Sequence, residues 1–255
     1  MWTSRLIALK TSTAWPTSSA STPWAATLLC APLEHLGGVE HRFPKHGLAH
    51  RAGRDAEILR DSALAVSGLI KPTIGGPSFR PPLPEDVFDV GRSSNWQASP
   101  GDEIYRRSLY IITLRSVLYP TLTTFDSPDA ADACVRRERS NTPLQALAMM
   151  NDSVFVEAAQ ALALRAMRES PHDTASRLRH LFEWTLNRSP RAEEMQRLAG
   201  FHSEQKARVE KGGAKTLDVL GNTSTFVPVP DQIEAATLVA VARVLMNLDE
   251  FINRE

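Results

Sequence analysis

The most informative stretch of this chain is Arg136-Arg137-Glu138-Arg139-Ser140-Asn141-Thr142-Pro143-Leu144-Gln145-Ala146-Leu147. Its second half predicts a helix start, because Thr142 is a favoured N-cap, Pro143 suits the first helical position and Gln145 can complete a capping box. The arginines before it need another explanation, since the positive end of a helix dipole disfavours cations. We therefore expect them to pair with the nearest acids in the sequence, which are Glu138, Asp126, Asp129 and Asp132.

The composition excludes several classes of protein. Among the 255 residues, Lys+Arg and Asp+Glu both number 29, so the formal net charge is zero, which argues against a dedicated nucleic-acid binder. No apolar run approaches the ~18 residues of a transmembrane helix. Near the N-terminus, the run Leu6-Ile7-Ala8-Leu9 is shorter than the roughly 7–15 residues of a signal-peptide core. We predict no nucleic-acid partner and no transmembrane segment, and no signal peptide is visible.

The sequence contains no motif for a metal or a haem. Cys30 and Cys134 lie far apart, and neither a CxxCH haem-attachment motif nor a cysteine-based zinc pattern is present. Four histidines fall between His35 and His50, but their spacings match no standard set of metal ligands. We predict no metal site and no cofactor in this chain. The two cysteines are compatible with one disulfide or with two free thiols.

The hydrophobic periodicity predicts a mainly α-helical fold. The predicted helices are Asp55 to Leu69, Leu144 to Met150, Asp152 to about Arg168, Thr174 to Asn187, one that starts at Ser189-Pro190 and a last one that starts at an Asp231 capping box. The Leu144 helix is apolar on nearly every side, so we expect it to be buried. The Ser189-Pro190 helix becomes highly charged towards Lys211, so we expect it to project into solvent. The last helix has the clearest one-sided apolar stripe of the chain.

Residues 71–101 are predicted to form an extended connector that wraps over the helices. They contain six prolines and four glycines, which disfavour regular structure, and the apolar anchors Phe79, Val87, Phe88 and Trp96. After the connector, Ile104 to Leu118 favours a helix, with a strand as the alternative. Residues 1–52 are expected to be a disordered or misassigned leader. The domain is therefore 53–255, an irregular multi-helix domain with a long Pro/Gly-rich wrapping connector.

The polar residues around the Arg136–Leu147 stretch are the candidate functional site. Paired carboxylates could supply an acid and a base, as in glycoside hydrolysis. The catalytic candidates are Asp126, Asp129, Glu138 and Asp152. The binding candidates are Arg106, Arg107, Arg137, Arg139, Asn141, Gln145 and Asn151. Structural roles compete with this interpretation, because Asp152 and Thr142 can be caps, Asp126 and Asp129 favour turns, and Arg106 and Arg107 could bind the acidic turn at Asp126 to Asp132.

Several blocks of the sequence, taken together and in order, resemble one known family. They are Arg60 to Leu69, Gly75 to Ser78, Arg106 to Tyr110, Thr124 to Asp129, Arg137 to Leu147, Asn151-Asp152 with Phe155 to Ala159, and Asn247 to Phe251. They resemble the planctomycete-specific domain of unknown function fifteen-fifty-three, a C-terminal domain of large proteins that often carry a c-type cytochrome domain. The resemblance covers residues 54–255 and implies an extracytoplasmic location. It also implies c-type cytochrome-domain proteins or envelope components as partners, and it supplies no catalytic residues.

Two functions fit these observations. The first is an extracytoplasmic helical interaction or scaffold domain of planctomycete cytochrome-associated proteins, with this chain expected to be a fragment of a longer protein. The alternative is an envelope or polysaccharide-processing enzyme domain that uses the Asp126–Asp152 polar cluster. Nucleic-acid binding through Arg136, Arg137 and Arg139 is disfavoured, because Glu138 interrupts the basic run and no aromatic platform lies nearby.

Overall fold

The computed structural model describes residues 52–83, 96–114, 118–129, 132–138, 140–212, 218–220 and 231–254. The predictions made for the leader, for Val87 and Phe88, and for Arg139 therefore lie outside the described residues. Within the described ranges the chain is mainly α-helical, with eight α-helices in an irregular arrangement, so the predicted fold class is confirmed.

The regular elements follow one another along the chain with little strand content. They are β1 (Ala52–Gly53), α1 (Ala56–Ser67), two 3₁₀ helices (Gly101–Tyr105 and Ser108–Tyr110), α2 (Pro120–Thr124), α3 (Pro143–Asn151), α4 (Ser153–Glu169), α5 (Thr174–Leu186), α6 (Ala192–Gly212), α7 (Gln232–Met246), α8 (Asp249–Ile252) and β2 (Asn253–Arg254). The short strands β1 and β2 pair antiparallel, so the two ends of the described domain meet.

Helix α7 lies at the centre of the core. It packs chiefly against α4 and α6, and also against α5. Every residue from Ala235 to Val239 and from Val241 to Met246 is buried. The sequence predicts a helix with one apolar side, whereas the structure encloses this helix nearly all round. Its alanines and valines make this possible, because small side chains let neighbouring helices approach closely from several directions.

The start of α7 also differs from the prediction. Asp231 has φ −95° and ψ −7° and makes no side-chain cap hydrogen bond, so the predicted capping box is wrong. A capping residue normally has an extended backbone, and Asp231 is already close to helical. Glu234, the other half of the predicted box, instead binds Arg177 of α5 and His202 of α6. The Glu234 side chain therefore binds residues of two other helices instead of making the hydrogen bond that a capping box requires.

Helices α1 and α4 pack against each other and confirm the predicted boundaries. Asp152 caps α4 as expected, since its Oδ1 accepts the backbone N–H of Val154 at 3.2 Å. The predicted inner face of α4 is buried along its whole length, at Val154, Ala158, Ala159, Leu162 and Ala166. Helix α1 ends at Gly68, whose φ of 79° is accessible to glycine without strain.

Helix α6 does not simply project into solvent. Its buried residues are Leu198, His202, Gln205 and Val209, which recur at helical spacing, and this face packs against α7 and α5. The charged residues occupy the other faces. The prediction of a projecting helix was based on its high charge, but one apolar stripe is enough to dock an amphipathic helix.

The described parts of the connector, residues 71–83 and 96–101, contribute apolar side chains to the core. Phe79, Leu83 and Trp96 are buried in the core cluster, and the indole N–H of Trp96 donates to the carbonyl of Pro81 at 2.8 Å. Single parallel bridges join Lys71 to Arg106 and Phe79 to Ile111. Backbone bridges to Arg106 and Ile111 thus hold residues 71–79 of the connector in place.

The segment from Ile104 onward forms neither of the structures that its sequence favours. It forms two short 3₁₀ helices and two isolated bridges instead of a helix or a strand, and residues 115–117 lie outside the described ranges. The buried side chain of Arg60 on α1 donates to the carbonyls of Ile104 and Arg106, at 2.6 and 3.1 Å. A long-range partner therefore satisfies carbonyls that a regular helix would have satisfied locally.

Candidate functional site

The start of α3 has the geometry that its sequence predicts. The backbone N–H of Thr142 donates to Oε1 of Gln145 at 2.9 Å, and the backbone N–H of Gln145 donates to Oγ1 of Thr142 at 3.3 Å. Pro143 occupies the first turn, and the capping box is complete. This local motif fixes where α3 begins and how residues 140–142 approach it.

Gln145 and Asp126 then join the start of α3 to the turn after α2. The Gln145 side chain is buried, and its Nε2 donates to the carbonyl of Thr124 and to Oγ of Ser140, both at 3.0 Å. Oδ2 of Asp126 accepts the backbone N–H and the hydroxyl of Ser140, both at 2.7 Å. Asp126 has φ 60°, a left-handed conformation that aspartate tolerates better than most residues. This network holds the turn and the loop together.

Arg137 pairs with a different acid from those expected. Its guanidinium donates to both carboxylate oxygens of Glu57 on α1, at 2.8 and 3.1 Å. The hydrogen bonds to Glu57 raise the pKa of Arg137 above its ordinary value. The prediction that Arg137 pairs with an acid near it in the sequence is wrong. The loop places the Arg137 side chain beside α1 and not beside Asp126, Asp129 or Asp132.

A shallow cleft lies between the loop that precedes α3 and the start of α1. Its interior volume is about 10 Å³, which is room for about one water molecule, and Phe125 and Ile252 contribute apolar walls. Four of the candidate residues line it, namely Asp126, Arg137, Glu138 and Gln145. The structure therefore brings together two of the candidate carboxylates and two of the candidate binding residues in one place.

The other candidates from this region lie elsewhere. Asp152 caps α4 and accepts the hydroxyl of Thr121 on α2. Asp129 and Asn141 are exposed, and Nδ2 of Asn151 donates to the carbonyl of Leu147 within its own helix. These four residues do not line the cleft, and their predicted roles stay predictions.

Arg106 and Arg107 do not reach the acidic turn. Arg106 is buried, donates to the carbonyls of Gly75 and Pro77, and lies 4.5 Å from the ring centroid of Tyr110. Arg107 pairs with Asp61 of α1 at 3.2 Å. The predicted network with Asp126 to Asp132 is therefore wrong. The two 3₁₀ helices direct these side chains to the connector and to α1, a path that sequence spacing does not reveal.

A buried polar cluster beneath the connector was missed altogether. Arg60 is 1% exposed and, besides its two carbonyl partners, donates to Oγ of Ser108 at 3.1 Å. Next to it, the hydroxyl of Tyr105 donates to Oε1 of Glu157 at 2.5 Å. Burial raises the pKa of Glu157 above its ordinary value. The available signal was the position of Arg60, which falls at helical spacing among the buried residues of α1.

A second missed cluster surrounds Glu234. Its Oε1 lies 3.2 Å from Nη1 of Arg177 and 3.2 Å from Nε2 of His202, and Nζ of Lys206 lies 3.6 Å from its Oε2. Burial alone would raise the pKa of Glu234, but His202, Lys206 and Arg177 outweigh it and lower the pKa to about 2. This cluster joins α5, α6 and α7 and is a structural ion-pair network.

Neither a metal-binding cluster nor a membrane-spanning helix is present in the described ranges. No group of three or more His, Cys, Asp or Glu side chains in these ranges is placed to hold a metal ion. No helix in the described part of the chain is long and apolar enough to cross a membrane. Cys134 is exposed, and Cys30 lies outside the described residues, so both thiol states named above stay open.

Comparison with known proteins places the chain in a family. No curated protein and no solved structure matches it. One family model matches residues 42–202, which is more than half of the chain, and its description is "Protein of unknown function (DUF1553)", with the short name PSD1. The match begins before the first quoted motif block and ends before the last. The matched residues include the loop before α3 that lines the cleft, the connector, and the cluster around the buried Arg60. The chain belongs to the DUF1553 family of proteins of unknown function.

Proposed function

We propose that this chain is a non-catalytic helical interaction domain of an extracytoplasmic planctomycete protein. Its partners would be c-type cytochrome-domain proteins or other envelope components. The observation that carries the proposal is the exposed apolar face of α3, formed by Leu144 and Leu147. These side chains are 65% and 55% exposed, although the sequence predicts that the helix is buried.

The helix α3 has two different sides. Gln145 and Met149 are buried and anchor it to the core. Leu144, Leu147 and Asn151 follow each other at steps of three and four residues, so they share the opposite side. The prediction of burial is wrong because this nine-residue helix lies at the edge of the core and only one side reaches its neighbours. Two large apolar side chains on one exposed face give α3 an apolar surface that a protein partner can cover.

Several interactions fix the start of α3, although the helix has only nine residues. The capping box and the proline at the first turn lie within residues 142–145, and Gln145 adds hydrogen bonds to Thr124 and Ser140. A helix that is already rigid loses little conformational entropy when a partner binds it. This arrangement supports a role in which α3 presents its exposed face in a fixed orientation.

The engaged carboxylates support a non-catalytic role. Oδ2 of Asp126 accepts bonds that organise the turn, and Asp152 caps α4. Both have structural tasks that account for their positions. The extracytoplasmic location and the cytochrome-type partners rest on the resemblance of the motif blocks, which is independent of this geometry.

The test is a pull-down from a planctomycete envelope extract with the full chain as bait. Bound proteins are identified by mass spectrometry for the wild type, for the double variant Leu144→Ser/Leu147→Ser, and for Ile74→Ser/Leu109→Ser. The last variant is the matched control, because Ile74 and Leu109 are also exposed but lie on the connector and a 3₁₀ helix. We expect cytochrome-domain proteins with the wild type and the control and their loss with the α3 variant. Equal recovery with all three proteins, or no such protein with any, contradicts the proposal.

An enzyme that processes an envelope polysaccharide is the second candidate. The observation in its favour is that Asp126 and Glu138 line the same cleft. A retaining or inverting glycosidase needs two carboxyl groups that face one sugar bond. Incubation of the full chain with fluorescently labelled envelope polysaccharide tests this function. Product that forms with the wild type and disappears with Glu138→Gln supports an enzyme, and product that persists in this variant rules out a role for Glu138.

A further inference from the structure

We propose that the exposed loop before α3 is a processing site, at which an arginine-specific protease hydrolyses the peptide bond between Arg136 and Arg137. Water adds across this bond. Its hydroxyl goes to the carbonyl carbon of Arg136, and its proton goes to the nitrogen of Arg137, which becomes a new amino terminus. This inference is independent of the proposed interaction role.

The backbone of the loop is accessible to a protease. All residues from Asp132 to Glu138 are exposed, and Val135 is 101% exposed. They lie in no helix or strand, and within the described ranges they make no backbone-to-backbone hydrogen bond. Proteases bind a substrate segment in an extended conformation through its backbone groups, and exposed loops are the preferred sites of cleavage. The stretch from Ala133 to Glu138 meets this requirement without the unfolding of any helix.

The two arginines of the loop are in different states. Arg136 is exposed and forms no ion pair with another described residue. Arg137 donates from both of its terminal nitrogens to the Glu57 carboxylate on α1. A trypsin-like protease binds the side chain before the cleaved bond in a pocket that ends in a carboxylate. Of the two, Arg136 can enter such a pocket without first breaking an ion pair, so the favoured bond is the one that follows Arg136.

The described part of the connector is exposed too, but its sequence protects it against the same class of protease. Residues 72–78 are exposed, and basic residues stand at Lys71 and Arg80. Each of the two is followed by a proline, at positions 72 and 81. A proline after the basic residue has no N–H and a rigid ring, and such bonds are poor substrates for trypsin-like proteases. The bond after Arg136 has no such protection.

The core holds the two parts of the chain together after the cut. Helices α1 and α2 precede the cut bond and α3 to α8 follow it, while α1 packs against α4 and α2 packs against α3. The rings of Phe125 and Phe155, one from each part, meet edge to face with their centroids 6.1 Å apart. Asp126 and Ser140 remain hydrogen-bonded across the opened loop. The product is therefore a two-chain domain that keeps its fold and the exposed face of α3.

The test begins with brief digestion of the full chain by trypsin under native conditions. Mass spectrometry follows the fragments that end at Arg136 or begin at Arg137, whichever other bonds are cut. We expect both to form early and to elute together in size-exclusion chromatography. Arg136→Gln should slow cleavage of this bond at least about hundredfold, since glutamine brings no charge to the protease pocket. Glu57→Gln should raise cleavage after Arg137 about threefold to fivefold, because it removes the ion pair.

The control is Glu204→Gln, which removes a carboxylate at an exposed site on α6 and should leave both cleavage rates unchanged. The wild type and Arg136→Gln are then incubated with a planctomycete envelope extract, with and without the trypsin inhibitor benzamidine. We expect a fragment that begins at Arg137 from the wild type alone, and only without benzamidine. The proposal is overturned by absence of trypsin cleavage after Arg136, by equal cleavage after the two arginines, or by cleavage with trypsin but not with the extract.

Discussion

Arg137 donates two hydrogen bonds to the carboxylate of Glu57, which lies 80 residues earlier in the chain. This pair fastens the loop before α3 to the first turn of α1. Both side chains are partly exposed, so solvent screens the attraction between them. The pair therefore serves to orient the loop and the cleft more than to stabilise the fold.

We expect Arg137→Ala to lower the free energy of unfolding by no more than about 1 kcal/mol, which is the usual range for an exposed ion pair. Urea unfolding monitored by circular dichroism measures the free energy of unfolding of both proteins. Arg136→Ala is the control, because Arg136 is the exposed neighbour in the same loop. A loss of several kcal/mol in Arg137→Ala alone would mean that the loop is part of the cooperative core.

Replacement of Gln145 should be more costly. Gln145→Ala removes the donors to Thr124 and Ser140 together with the acceptor for Thr142, so we expect a loss of about 2 kcal/mol. Gln145→Glu separates two roles, because glutamate can still complete the capping box but cannot donate to the Thr124 carbonyl. We expect it to be nearly as destabilising as alanine in thermal unfolding. Wild-type stability in Gln145→Glu would show that only the cap matters.

Arg60 is expected to be the most sensitive position of the buried cluster. Arg60→Met leaves the carbonyls of Ile104 and Arg106 without their donors in the interior, and we expect a loss of about 3–5 kcal/mol. Chemical denaturation of purified protein provides the measurement.

Arg106→Met is the informative comparison, because the carbonyls that Arg106 holds, those of Gly75 and Pro77, both belong to the connector. For this variant we expect faster amide exchange at residues 71–79 and a smaller global loss. Equal global losses in the two variants would contradict this division between core and connector.

The Glu234 cluster should make the stability depend on acid pH. The pKa of Glu234 is about 2 in the folded protein, below the ordinary value near 4.5, so its contribution is present at higher pH and is lost as pH falls from about 4.5 towards 2. Glu234→Gln should therefore be less stable than the wild type at pH 6, and the difference should shrink below pH 4. Thermal unfolding at a series of pH values tests this. A difference that stays constant from pH 6 to pH 3, or one seen equally in Glu204→Gln, would contradict the assignment.

Local signals predicted the five longer helices and α3, and they predicted the caps that start α3 and α4. The caps at Thr142 and Asp152 depend on residues two or three positions away, so the sequence contains all that is needed. The partners of the arginines could not be predicted in the same way. Arg137 reaches α1, Arg60 reaches the segment after the connector, and Arg106 reaches Gly75, and each pairing depends on how distant segments are packed.

The two wrong burial predictions have one physical origin. Periodicity shows which sides of a helix are apolar, but it does not show how many neighbours the fold supplies. Helix α3 is apolar on most sides and meets neighbours on one, whereas α7 has a clear stripe and is enclosed. The cleft was predictable only in part, because the sequence pointed to Asp126, Arg137, Glu138 and Gln145 without the contribution of the start of α1.

The enclosed position of α7 has a consequence for how the protein is made. The ribosome delivers this helix after α1 to α6, yet α3, α4, α5 and α6 pack against it. Until residue 246 has left the exit tunnel, the emerging chain must expose the apolar surfaces of α4 and α6 that α7 later covers. A nascent chain stalled before α7 should therefore be a preferred client of chaperones that bind exposed apolar segments. Translation past Met246 should release it.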